Sequence, residues 1–75
     1  MPSIQQLTAL IERDGDGYVA LCPELDVASQ GDTVERARDN LQEAVELFLE
    51  TADQSEVMER LSSEMFITRL EVRVG

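Results

Sequence analysis

The run Asp14-Gly15-Asp16-Gly17 constrains this chain more than any other four residues. Two Asp-Gly pairs in succession are a strong hairpin signal, because glycine takes a positive φ without steric cost. Before the run, residues 4–13 are strand-like: Leu7, Ala9 and Ile11 point one way, and Thr8, Leu10 and Glu12 the other. After it, residues 18–22 (YVALC) have good strand propensity and stop at Pro23, which has no ladder donor. The chain therefore opens with two antiparallel strands.

Residues 23–30 (PELDVASQ) then read as a loop into a short third strand at 27–30, followed by Gly31, Asp32 and Thr33. Asp32 with Glu35 has capping-box spacing, and Thr33 is the preferred cap of the helix that follows. With Thr33 as cap, Asp32 and Glu35 sit favourably near the positive end of the helix dipole. If Gly31 has positive φ, Gly31→Val is destabilising, because β-branched residues resist that region. Between residues 34 and 51, Val34, Ala37, Leu41, Ala44, Val45 and Phe48 repeat every three or four positions as one helical stripe. Leu47 and Leu49 fall outside it and widen the apolar surface, either as core or as a contact between copies.

Residues 52–54 break the pattern, and Ser55 is placed to cap a second short helix over 56–61. Residues 65–74 (MFITRLEVRV) alternate again, with Phe66, Thr68, Leu70, Val72 and Val74 facing one way and Arg69, Glu71 and Arg73 the other. This pattern predicts a last strand with one buried face. The elements assemble as β-β-β-α-(short α)-β, an α+β fold in a single domain over residues 1–75. A right-handed crossover favours sheet order 3-2-1-4, mostly antiparallel, with the long helix over one face as a two-layer sandwich.

Composition then limits the chemistry. A 75-residue chain buries only about 60% of its unfolded surface, and such small domains rely on disulfides, metals or association. Cys22 is the single cysteine and histidine is absent, so neither an intrachain disulfide nor a histidine zinc site is available. Association with another chain is the favoured remedy. Asp14 and Asp16 resemble the opening of a calcium loop, but the twelfth position is Leu25 and strands flank the turn, so no metal or cofactor is expected. Carboxylates in predicted loops and a cysteine without a sequence-level base give no catalytic constellation, so no enzyme is expected.

Sixteen acidic residues face six arginines, for a net charge of −10. That balance opposes phosphate backbones and favours a basic protein partner, while also serving solubility. The N-terminus has no signal-peptide pattern, and no apolar run approaches the ~18 residues of a membrane span, so a cytoplasmic location is expected. Asp14, Asp16, Glu24 and Asp26 are the candidate partner-binding acids.

The order D-G-Y at residues 16–18, C-P-E-L at 22–25, S-Q-G-D-T at 29–33 and E-A at 43–44 resembles the HicB-type antitoxin domain over residues 5–52. No single piece is specific; the combination is. Gly17, Pro23, Gly31, Asp32 and Thr33 are its structural positions. The resemblance implies a partial ribonuclease-H-like fold and a partner role. HicB-type antitoxins bind and block a small basic toxin, with a double-stranded-RNA-binding-like fold, that cleaves messenger RNA using a histidine. Many also carry a C-terminal DNA-binding segment; here the sequence stops at Gly75 after the last predicted strand. The family's frequent Leu-Pro-Gly loop is altered, with Leu25 followed by Asp26 and Val27. Two expectations result: an antitoxin-like inhibitor of a basic ribonuclease, or a stand-alone homo-oligomeric binding module.

Overall fold

The computed structural model describes residues 6–75. Three strands, β1 (Leu10–Asp14), β2 (Gly17–Cys22) and β3 (Val27–Gly31), form an antiparallel sheet in the order β1-β2-β3. Two helices follow, α1 (Val34–Thr51) and α2 (Gln54–Ser62). The α+β class agrees with the sequence reading.

Asp14 pairs with Gly17, so the hairpin loop is Gly15-Asp16, with φ of +60° at Gly15. Positive φ at the first central residue alone is the sign pattern of a type II′ turn, which suits strand twist. Tyr18 pairs with Gly31 and Cys22 with Val27, which closes the β2–β3 connection over residues 23–26. Asp26 there has φ of +55°, a conformation that aspartate tolerates better than most side chains.

Helix α1 starts where its sequence says it should. Thr33 is the N-cap, and its hydroxyl accepts from the Arg36 amide at 3.0 Å. Thr33→Ala should cost about 1 kcal/mol, read as a lower midpoint in urea. The helix lays Ala37 and Leu41 on the sheet, where they form one core with Ala20, Cys22 and Leu25. Leu7, Ile11, Tyr18, Val27, Val45 and Phe48 pack around that core. Val34, expected in the stripe, is exposed because it stands in the first turn, beyond the sheet.

Several expectations are corrected. The first strand begins at Leu10 rather than residue 4; Ile4 and Gln5 lie outside the described residues. Beyond Cys22 the chain turns at Pro23, so residues 6–9 face no continuing strand, and the Thr8 amide bonds the Glu24 carboxylate instead. Helix α2 begins earlier than expected, with Asp53 rather than Ser55 at the N-cap position and no capping bond from its side chain. Gly31 lies outside the left-handed region; its need for glycine comes from crowding, since a Cβ there would stand 2.4 Å from the Ala37 nitrogen.

The largest difference is at residues 65–74, which form no strand. Among the described residues the sheet therefore has three strands, not the order 3-2-1-4. Phe66, Leu70, Val72 and Val74, expected on a buried face, are 84%, 83%, 73% and 89% exposed. Alternation records that a segment has two unlike faces, but a strand also needs an edge to pair with, and here none is engaged.

Candidate functional site

Strand β2 separates the four candidate acids into two pairs. Asp14 and Asp16 flank the β1–β2 turn, whereas Glu24 and Asp26 lie in the β2–β3 turn at the other end of the sheet. A six-residue strand at ~3.3 Å per residue puts roughly 17 Å between those ends. The four do not form one patch. Among the described residues no three cysteine, aspartate or glutamate side chains converge as metal ligands would.

Glu24 is engaged within the fold. Its carboxylate accepts from the Thr8 amide at 3.1 and 3.0 Å, from the Thr8 hydroxyl at 2.6 Å and from the Cys22 thiol at 3.5 Å. Partial burial pushes its pKa up, but the donors at Thr8, its own amide and Cys22 outweigh this and hold it below the ordinary glutamate value. This carboxylate latches the segment ahead of β1 onto the β2–β3 turn. Burial likewise raises the Cys22 thiol pKa, against the Leu25 amide and with help from the Glu24 charge. A buried, protonated thiol is a poor nucleophile.

Because folded Glu24 is the stronger acid, its latch contributes stability at neutral pH. That contribution fades as pH falls through the unfolded value of about 4.3 toward the lower folded one. Glu24→Gln should therefore lower the melting temperature at pH 7 and shrink the difference between variant and parent below pH 4. Thermal melts across that range measure both.

The opposite end of the sheet is the open one. Asp14, Asp16 and Asp32 gather around a shallow depression that Arg36 and Asn40 also line. The three acids are exposed, while Asn40 donates to the Gln30 carbonyl at 2.7 Å and ties α1 to β3 beneath them. Thr33 caps α1 beside this depression, and Gly31 lets the helix approach the sheet there. Gly17 contributes the close strand contact below, where a Cβ would stand 2.8 Å from the Gly31 carbonyl oxygen. Arg13 stacks over Tyr18 at 5.2 Å and donates to its hydroxyl at 3.2 Å, directly across the ladder.

Leu47 and Leu49, the candidate contact between copies, are 59% and 40% exposed on α1. Sequence reading missed Arg60, which joins three elements. Its guanidinium donates to the Leu25 carbonyl, pairs with Glu56 at 2.8 Å and lies 4.8 Å from the centre of the Phe48 ring. The Glu56–Arg60 spacing was visible as a helical ion pair, but nothing local pointed to Leu25 or Phe48.

The chain resembles three proteins of Synechocystis sp. It is 48% identical over 50 residues to UPF0150 protein ssr1765, covering 64% of this chain and 63% of that one. It is 47% identical over 47 residues to UPF0150 protein ssl0738, covering 60% and 65%. It is 44% identical over 48 residues to UPF0150 protein ssr1258, covering 61% and 70%. The matched region thus spans less than two thirds of the first two relatives. No family model and no solved structure matches the chain. Among the described residues no helix is long and apolar enough to cross a membrane.

Proposed function

Because the chain belongs to the UPF0150 family, and because its motif order resembles the HicB-type antitoxin domain, we propose that it is an antitoxin-like protein. It binds and inhibits a small, basic, messenger-RNA-cleaving toxin by protein–protein contact, with no catalysis of its own. The observation that carries this reading is the exposed acidic end formed by Asp14, Asp16 and Asp32 on a chain of net charge −10. Complementary potential speeds encounter with a basic partner and suppresses others. Glu24 is assigned to the fold rather than to the contact, and Asp26 to the opposite rim.

Where a neighbouring gene encodes a small, basic, histidine-containing protein, co-expression with that protein tests this. The expected result is co-purification at low salt, relief of that protein's toxicity, and weaker binding by Asp14→Asn/Asp16→Asn/Asp32→Asn. Absence of a complex together with unrelieved toxicity refutes it. The second reading, a homo-oligomeric binding module, is favoured by the exposed Leu47 and Leu49 on α1.

A further inference from the structure

Residues 65–74 hold no place in the body of the molecule. They help to stretch it to 50 Å in its longest dimension, with a radius of gyration of 14.5 Å against about 11 Å for a compact domain of this length. Among the described residues the body leaves a matching space open. Between the segment that leads into β1 and helix α1 lies an open groove lined by Leu7, Cys22, Leu41, Val45 and Leu49, with Arg38, Gln42, Glu46 and Glu50 also along it. Its volume is about 1180 Å³, larger than the roughly 300–1,000 Å³ typical of small-molecule pockets. Beside it, β1 pairs only with β2 among the described residues, so its outer edge presents unpaired amides and carbonyls.

We infer that this groove receives residues 65–74 of a second copy as an added strand along β1, and that the two copies exchange these arms reciprocally. The inference rests on the self-association reading and identifies the surface that carries it. Both faces of the arm match the site. Phe66, Leu70, Val72 and Val74 would turn toward the apolar groove beneath α1. Arg69 and Arg73 would then lie on the outer sheet face, where the β1 register places Glu12 and Asp14.

Net charge divides the same way. Residues 65–75 carry two arginines and one glutamate, whereas the rest of the chain carries fifteen acids and four arginines. An arm of one sign therefore meets a body of the other. A second copy is the source that fits the structure, since Arg60 fastens α2 to the Leu25 turn and to Phe48 and every residue beyond Ser62 is exposed rather than folded back on its own body. Reciprocal exchange gives a closed two-fold pair in which each apolar arm and each open edge is covered.

Light scattering on three proteins tests the exchange, with no other protein present. The parent chain should have twice its 8.4 kDa mass. Leu70→Asp/Val72→Asp, which spoils the arm, and Leu49→Arg, which blocks the groove, should each halve that mass with unchanged helical circular dichroism. Mixing the two variants should restore a pair, because one supplies an intact arm and the other an intact groove. A monomeric parent overturns the inference. So does a dimer that survives the arm substitutions, a result that would leave self-association through Leu47 and Leu49 standing. Failure of the two variants to pair overturns it as well.

Discussion

Gly31→Ala lowers the melting temperature by roughly 15 °C, the expected consequence of losing about 3 kcal/mol in a domain of this size. Gly31 ends β3 and faces the first turn of α1, where an added Cβ would lie 2.4 Å from the Ala37 nitrogen, 2.7 Å from the Arg36 carbonyl carbon and 2.9 Å from the Ala37 Cα. All three neighbours are backbone atoms, so no rotamer change relieves the overlap. The helix must lift, and lifting it withdraws Ala37 and Leu41 from the core. Overpacking of this kind falls at the upper end of its usual range because rigid atoms oppose it. Gly31→Val should do worse, for bulk and not for backbone strain. Circular dichroism melts of the two variants provide the measurement, and a melting temperature within 3 °C of the parent would contradict the close approach.

Leu25→Ala is the second large effect, at about 3 kcal/mol within the roughly 2–5 kcal/mol usual for such truncations. Leu25 is 0% exposed and is one of the two largest fully buried side chains. It sits in the β2–β3 turn, its amide donating to the Cys22 carbonyl at 3.3 Å and its carbonyl receiving Arg60. Truncation would leave a cavity at the point where sheet, α1 and α2 meet, and a tight turn cannot collapse to fill it. Urea unfolding should show a lower midpoint for Leu25→Ala, while Leu47→Ala, at an exposed helix position, stays within about 0.5 kcal/mol of the parent. Equal effects at the two positions would mean that Leu25 is not a core residue.

Features set by neighbouring residues were legible from sequence. The hairpin followed from glycine beside aspartate, the start of α1 from Thr33, and its length from the three-and-four spacing of apolar side chains. What failed depended on residues far apart in the chain. Glu24 looked like a surface acid because Thr8, its donor, lies sixteen positions away. Four acids looked like one group until the β2 register put them at opposite ends of a strand. Gly31 invited a dihedral explanation because a close approach between backbones leaves no mark on sequence. Residues 65–74 alternate in sequence yet form no strand, since periodicity does not say which edge a strand will meet.

The body of the molecule is built so that consecutive elements touch: β1 on β2, β2 on β3, and α1 back across the strands it has just left. Loops between them are short, so little chain entropy is spent before contacts form, and such local topologies fold quickly. Refolding should therefore complete in a fast, unimolecular phase that does not wait for residues 65–74. Any pairing of copies becomes a later, bimolecular step whose rate rises with protein concentration. At low concentration the chain would pass through a folded monomer with an apolar arm still uncovered, and that species, rather than the unfolded chain, is the one exposed to aggregation.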